Sequence, residues 1–585
     1  MIQFYTTTQA GCCRVFLCHF RHRITTLVFF VLLSLSLQFV HTQTVNAKPT
    51  EKLNLVFILA DDLGWSDTTL YGTTSFYETP NIERLAKRGM LFTNAYTAHP
   101  LCSPTRSSIM TGLEPGRTGF ISAAGHVQGV NFDKNLLFPA RPDQKVRVPR
   151  SVSRLDTKYT TLAESIKSAG YITGHFGKWH LGKQPYSPLE HGFDVDVPHW
   201  SGPGPAGSYV APWRFPDELD FDPTVPNEHI EDRMANEACA FIEKNKDKPF
   251  FLNYWAFSVH GPWDGKPELK AKYAKKADPN NPQRLPVYGA MVESLDDAVG
   301  QLLDTLDRLN LTEKTIIVFF SDNGGNMYSE VDGLPPTSNA PLRDGKASIY
   351  EGGSRVPCAV IWPGKTTAGS KTDAFLSSTD WYPTLIEMMK IQKPANLQFD
   401  GVSQVPAILG KSGPRESVVC FVPCYFPKPN TIPSTYVRRG PWKLIRFHGD
   451  GEAGPQQDRF ELYNLDSDIG ETKNLASDNP QLVKQLNAEI TEYLNRVEAT
   501  VPTPNSAYNP NAKATQKPMV KRPAKAINRE AQFKQRDTNK DGFVTLKEFI
   551  GNPKNRNVPA LTKQFELKDK DNDERLTLAE LKGQK

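Results

Sequence analysis

The sequence predicts an α/β fold with a smaller α+β subdomain behind it, and three observations carry that reading. Leu53–Ala60, Pro249–Val259 and Thr315–Ser321 are continuous apolar runs of strand length, the pattern of strands buried on both faces of a sheet. Helical patterns lie between them, over Thr79–Gly89, Thr161–Gly170 and Ala290–Leu309, with Gly89 and Gly170 as stops. From about residue 360 the texture changes to short antiparallel strands, Thr435–Phe447 and Arg459–Leu465, and then a helix over Gln481–Val497.

Composition agrees with a large globular protein. Of 585 residues, 39% are hydrophobic and 23% charged, which suits a sizeable core and excludes global disorder. At roughly 150 residues per domain the length corresponds to about four units, although large α/β enzymes exceed that size. The 69 basic and 64 acidic residues leave a net charge of +5, without the basic excess of a nucleic-acid binder. The 40 glycines and 46 prolines fit a loop-rich fold.

Residues 1–47 read as a signal peptide. Arg21-His22-Arg23 precedes the apolar run Ile24–Val40, and Val45-Asn46-Ala47 offers small residues for cleavage after Ala47. An uncleaved anchor is the alternative, since about 17 apolar residues lie near the lower limit for a span. Cleavage implies an exported chain, secreted or periplasmic, with no membrane attachment. It removes Cys12, Cys13 and Cys18 and leaves Cys102, Cys239, Cys358, Cys420 and Cys424. An odd number argues against a disulfide framework and gives at least one cysteine another fate.

The remaining chain divides into a catalytic domain over 48–360, a C-terminal subdomain over 361–500 and a linker over 501–525. The linker carries five prolines and five Lys/Arg with no acidic residue, so it has little to bury and stays extended. Residues 526–585 hold two copies of a calcium-loop spacing. In the first, Asp537, Asn539, Asp541, Thr545 and Glu548 supply oxygen donors, with Gly542 at the sharp turn and Phe543 at the carbonyl position. In the second, Asp569, Asp571, Asp573, Arg575, Thr577 and Glu580 repeat the pattern, but Glu574 replaces the glycine and strains the turn. The segment resembles a helical EF-hand pair, with dockerin-like calcium modules as a related reading.

In open α/β sheets ligands bind beyond the carboxyl ends of the strands. Asp61 and Asp62 follow Leu53–Ala60, Asp322 and Asn323 follow Thr315–Ser321, His260 follows Pro249–Val259, and Lys178 and His180 follow Tyr171–Phe176. Singly each is weak, because an Asp after a strand is commonly a helix cap and a lone His is commonly structural. Together they form an all-oxygen set suited to Ca²⁺ or Mg²⁺, with cationic and imidazole groups beside it. Cys102-Ser103-Pro104-Thr105-Arg106 adds a cysteine ahead of a proline-initiated helix, with Ser103 as the expected cap and Arg106 four residues on. Helix amide dipoles there favour an anion beside Cys102.

These residues resemble the C-x-P-x-R signature of type I sulfatases, the arylsulfatase-like family of the alkaline-phosphatase-like superfamily. The similarity runs through Ala60–Trp65, Thr79-Pro80-Asn81, Gly177–His180, Ser321–Gly325 and Gly345-Lys346, across roughly residues 51–500. It implies a mixed central sheet flanked by helices. It also implies that a maturase oxidises Cys102 to formylglycine, which hydrates to a diol. Asp61, Asp62, Asp322, Asn323 and the modified Cys102 match the family's calcium ligands. Arg106, Lys178, His180, His260 and Lys346 match its sulfate-binding and proton-transfer residues. The implied function is hydrolysis of sulfate monoesters, with sulfated glycans as the expected substrates. A phosphatase or phosphonate monoester hydrolase on the same fold, or an inactive calcium-dependent glycan-binding protein, are the competing readings. Lys134, Arg141, Lys145, Arg147, Arg150, Arg154 and Lys158 stand against two Asp in one stretch. They form either a solvated loop or a contact surface for an anionic polysaccharide.

Overall fold

A computed structural model describes residues 52–219 and 221–512, and within the last segment 536–551, 573–582 and a few residues around them. The expected signal peptide and positions 513–525 of the linker lie outside the described residues. Nine strands come first: β1 (Asn54–Ala60), β2 (Met90–Tyr96), β3 (Val146–Arg147), β4 (Ile172–Gly177), β5 (Val195–Val197), β6 (Phe250–Trp255), β7 (Thr315–Ser321), β8 (Cys358–Ile361) and β9 (Ser370–Ser377). All but β3 form one sheet in the order β5-β4-β6-β1-β7-β8-β2-β9. Strands β4, β6, β1 and β7 are mutually parallel, while β8 runs antiparallel to β7 and β2. The sheet is therefore mixed, and its four central strands end at one edge.

The apolar runs form strands because both faces are covered. Every residue of β1, β6 and β7 is buried. One face packs against α1 (Pro80–Arg88), α4 (Ile230–Asn245) and α5 (Pro286–Arg308), and the other against α2 (Cys102–Thr111), α3 (Leu162–Ser168) and α6 (Trp381–Met388). Local chemistry sets the ends. Thr161 and Glu164 form a capping box on α3, with Thr161 Oγ1 accepting from Glu164 N at 3.2 Å and Glu164 Oε2 from Thr161 N at 2.7 Å. Helix α5 starts at Pro286 rather than Ala290, since proline at a first helical position sacrifices no needed donor. The run Pro249–Val259 leaves the sheet after Trp255. Residues 256–259 form a buried turn, and burial keeps them as apolar as the strand, so hydrophobicity alone does not mark the end.

Strand β9 and helix α6 belong to the large sheet and its core, so the large unit continues past the expected division at 360/361. The second sheet begins at β10 (Ser417–Val422) and continues antiparallel through β11 (Ser434–Arg439), β12 (Trp442–Phe447) and β13 (Arg459–Asn464). Its one face packs on Tyr96 and Ile349 of the large unit and the other on α7 (Pro480–Arg496).

The start of the expected linker is docked rather than free. β14 (Thr503–Pro504) pairs with β3. Asn505, itself buried, donates from Nδ2 to the carbonyls of Arg141 and Gln144 at 2.9 and 2.8 Å. Further on, β15 (Val544–Thr545) and β16 (Arg575–Leu576) pair antiparallel, each leading into a short helix, α8 (Leu546–Ile550) and α9 (Leu578–Lys582). Phe533, Val544, Phe549, Phe565 and Leu576 gather into one apolar cluster there.

Candidate active site

The sheet order explains why residues far apart in sequence meet. Strands β4, β6, β1 and β7 are neighbours and parallel, so the residues after each emerge side by side. Asp61 and Asp62 leave β1, Asp322 and Asn323 leave β7, and Lys178 and His180 leave β4, all of them buried. His260 follows the turn after β6 and keeps part of its ring open. Cys102 opens α2 and is buried among them, while Lys346 arrives on a loop tied by its amide to the carbonyl of Gly325 at 3.0 Å.

Three carboxylates face three cations. Lys178 Nζ donates to both oxygens of Asp61 at 2.8 and 2.6 Å. Arg106 Nε donates to Asp322 Oδ2 at 2.8 Å, with Nη2 also 2.8 Å from that oxygen and 3.6 Å from Asp61. Lys346 Nζ donates to Asp62 Oδ2 at 2.7 Å, and His260 Nε2 lies 3.8 Å from the same oxygen. Burial opposes ionisation of Asp62, but Lys346, His260 and Lys178 outweigh it and hold that carboxyl well below the usual range. Burial raises Asp61, and the neighbouring Asp322 adds to this against the pull of Lys178 and Arg106. Burial also pushes the Cys102 thiol up to about 11, against the pull of Lys178 and Lys346. The unmodified side chain is thus a neutral thiol at neutral pH, a poor nucleophile.

The residues present fit a hard divalent cation. Asn323 donates from Nδ2 to Asp62 Oδ1 at 2.8 Å, which leaves its own Oδ1 buried without a donor. Single ligand atoms of Asp61, Cys102 and Asp322 lie within 4.8 Å of one another, as do those of Asp62, Cys102 and His260. Acidic oxygens with an orphaned amide oxygen suit Ca²⁺ or Mg²⁺. Asp62 and His180 hold φ of 61° and 58°, a left-handed backbone that costs non-glycine residues of order 1–3 kcal/mol and gathers at functional sites.

Two local readings are corrected. Helix α2 begins at Cys102 itself, with Leu101 in the cap position. Ser103 does not cap it: its hydroxyl donates to the carbonyl of His180 at 2.8 Å and accepts from the Gly125 amide at 3.3 Å. The remaining cysteines, Cys239, Cys358, Cys420 and Cys424, are free and buried.

Two positioning residues were invisible in the sequence. His126 Nδ1 lies 2.7 Å from His180 Nε2, so a histidine from a Gly/Ala-rich loop sets that ring. Glu231, in the first turn of α4, accepts from the amides of Phe257 and Ser258 at 2.9 and 2.7 Å. That turn in turn bonds Asp61, through Asp61 N to Ser258 O at 2.8 Å and Val259 N to Asp61 O at 2.5 Å. An acidic residue opening an amphipathic helix reads as dipole compensation, so no sequence signal marks Glu231.

The geometry gathers carboxylates, cations and imidazoles around one cysteine, and the comparisons give the family. A family model described as Sulfatase matches residues 53–391. The chain belongs to the sulfatase family. A second model, N-sulphoglucosamine sulphohydrolase, C-terminal, matches residues 344–500. The chain is 32% identical over 375 residues to N-acetylgalactosamine-6-sulfatase of Homo sapiens, covering 61% of this chain and 66% of that protein. Against N-acetylgalactosamine-6-O-sulfatase of Bacteroides thetaiotaomicron it is 28% identical, covering 77% and 94%. The solved structure of Ps i-CgsB in complex with k-i-k-neocarrahexaose matches with a TM-score of 0.61 at 27% identity, covering 76% of this chain and 93% of that one. As in that structure, the sulfatase-family fold here is α/β with a large central sheet.

The approach of Gly125 to the site yields a test. A Cβ there would stand 1.7 Å from the carbonyl oxygen of His180. Gly125→Ala must push away the His126 loop or His180, and a displacement of about 1 Å at a reacting group costs on the order of 100-fold in rate. Steady-state assays should show a loss of that order with the far-ultraviolet circular dichroism unchanged. Undiminished turnover would show that this contact does not set the site.

Proposed function

We propose that the chain is an exported sulfuric ester hydrolase acting on sulfated glycans, with formylglycine formed from Cys102 by a maturase and a calcium ion at the carboxylates. The observation that carries this reading is the convergence of three carboxylates, three cations and two imidazoles on Cys102 at one sheet edge. The names of the relatives support the sulfated-glycan class. Export rests on the apolar run Ile24–Val40 ahead of Ala47.

Charge balance supports the ion. The three carboxylates and three cations cancel as they stand, so a divalent cation makes the centre positive and attractive to an anionic ester. When bound, the ion supplies further charge at the sulfate oxygens. Formylglycine formed at Cys102 and hydrated would supply a hydroxyl nucleophile towards sulfur and a second hydroxyl for release of sulfate. Lys178 and Lys346 carry ammonium groups at the rim of the carboxylates, where they meet sulfate oxygens and stabilise charge developing there. Arg106 orients Asp322 and, through Nη1 at 2.5 Å, the carbonyl of Lys178. His260, the partly open member, stands where a departing alcohol leaves and donates its proton. Burial together with Lys346 and Lys178 holds its imidazole well below the ordinary range in the free protein, so the negative charge of the bound ester is what lets the ring take up from solvent the proton that it then donates. His180, set by His126, takes the proton of the second hydroxyl.

The decisive screen compares an aryl sulfate with the matching aryl phosphate, each with and without chelator. The sulfate should turn over at least about tenfold faster, and chelation should abolish it. Preferred hydrolysis of the phosphate would make this a phosphatase on the same fold. Inertness to both would favour a binding protein.

We further propose that the C-terminal segment is an EF-hand pair. Asp569, Asp571 and Glu580 bring ligand oxygens within 4.8 Å of one another. Asp537 accepts from the amides of Asp541 and Gly542 at 3.1 Å each, curling the first loop around its donors. Gly542 and Glu574, at the equivalent turn positions, have φ of 86° and 63°. Glycine takes that conformation freely, and glutamate pays about 1 kcal/mol or more. Glu574→Gly should therefore tighten the weaker calcium site of the full chain roughly fivefold in calorimetric titration. An unchanged affinity would remove turn strain as the difference between the loops.

A further inference from the structure

A cleft of about 520 Å³ opens beside the candidate active site, within the size range of ligand pockets, roughly 300–1,000 Å³. One wall is the segment 122–129, which carries His126 against His180 and Gly125 against Ser103, next to Cys102. The opposite wall is a hairpin over 136–150, closed by Phe138 N to Val148 O at 2.9 Å and Arg150 N to Leu136 O at 2.7 Å. Tyr425 stands at the back, its hydroxyl accepting from Val146 N at 3.1 Å. The walls are fixed. The buried Arg154 holds the carbonyls of Gly125 and Val127 at 3.1 and 2.7 Å, and Asn505 clamps the hairpin from the other side.

The lining has the chemistry of a carbohydrate site. Phe138 is 47% exposed, an aromatic face left open to the cleft rather than packed. Gln128 and the Nε2 group of Gln144 offer hydrogen bonds to hydroxyls, whereas Asn131 is spent on the carbonyls of Asp133 and Ser151 and shapes the wall. The basic stretch around the cleft is mostly spent elsewhere. Lys134 bonds the carbonyl of Glu498 at 2.9 Å, while Arg141, Lys145 and Lys158 pair with Asp143, Asp450 and Asp156. Arg150 differs: it is exposed, lines the cleft, lies 5.8 Å over the Phe138 ring and has no acidic partner among the described residues. An arginine stacked on an aromatic ring with its fork open is an anion receptor.

We propose that this cleft is a subsite for the saccharide unit adjoining the one that carries the scissile sulfate. Phe138 takes the apolar face of that neighbouring ring, and Arg150 takes its anionic substituent, a sulfate or a carboxylate. The subsite rests on the sulfatase reading, and it makes the substrate an oligosaccharide or polysaccharide rather than a lone sulfated sugar. A small aryl sulfate reaches the candidate active site without filling the cleft.

The test compares the full-length protein with Arg150→Ala and Phe138→Ala on three probes. They are an aryl sulfate, a tetrasaccharide of alternating uronate and 6-sulfated N-acetylgalactosamine, and a sulfated neocarratetraose without carboxylates. Both variants should keep kcat/KM on the aryl sulfate within about twofold. On at least one tetrasaccharide each should raise KM by about tenfold with kcat little changed, as expected for loss of a charged or aromatic contact. A loss confined to the uronate probe assigns a carboxylate to Arg150, and one confined to the carrageenan probe assigns a sulfate. Equal losses on all probes, or no loss on any tetrasaccharide that the wild type hydrolyses, would overturn the subsite. So would a wild type that cleaves the aryl sulfate yet neither cleaves nor binds either tetrasaccharide in calorimetry. A protein inert to the aryl sulfate whose calorimetric binding of a tetrasaccharide depends on Arg150 would retain the subsite and refute the sulfatase reading instead.

Discussion

Asp61, Asp62 and Asp322 lie wholly out of solvent at the ends of two adjacent strands. Isolated carboxylates cannot be buried at that depth, because the lost hydration is worth several kcal/mol per charge even after relaxation. The structure meets this by bringing one cation to each: Lys178 to Asp61, Arg106 to Asp322 and Lys346 to Asp62. Each cation comes from a different part of the chain, so the pairing ties the end of β4, the first turns of α2 and the 345–348 loop to one sheet edge. Removing one member would leave its partner buried and unpaired, at a cost of about 3–5 kcal/mol. The same arrangement keeps Cys102 in an electrostatic field set by residues distant in sequence.

Support for this cluster extends outward through hydrogen bonds. Glu231 fixes the turn that both bonds Asp61 and presents His260. Ser103 joins the start of α2 to His180 and to Gly125, and His126 then meets the His180 ring. The 122–129 segment thus serves both places: Gly125 and His126 in its middle meet Ser103 and His180, while Ser122, Ala124 and Val127–Gly129 on either side line the neighbouring cleft. Arg154 and Asn505 stiffen the two cleft walls through backbone carbonyls, a use of buried polar side chains that leaves no charge free for solvent.

Much of this was legible because strand ends carry the chemistry. Continuous apolar runs located β1, β6 and β7, and reading the residues that follow them found Asp61, Asp62, Asp322, Asn323 and His260. Adjacency of the strands was not legible, since the order β4-β6-β1-β7 depends on crossovers that no local pattern encodes. Ser103 was taken for a cap because serine before proline has that local preference, whereas tertiary contacts claim its hydroxyl. The division at 360/361 failed to anticipate that β9 returns to pair with β2, a pairing across 280 residues, from Met90 to Ser370. Glu231 and His126 act through other residues, and their local surroundings look ordinary. The basic stretch 134–158 shows the limit of counting charge: most of its members are paired or buried, and Arg150 is distinguished only by what surrounds it.

The proposed mechanism turns on the state of Cys102. Its buried thiol is held neutral, and a sulfur-bound sulfate would have no internal route to release, whereas a hydrated aldehyde has one. Peptide mass spectrometry across Cys102 from catalytically active protein is the most direct measurement. The account predicts loss of one sulfur and two hydrogens with gain of one oxygen, and reaction of the same peptide with a hydrazide probe. Fully active protein whose Cys102 carries an intact, alkylatable thiol would contradict it.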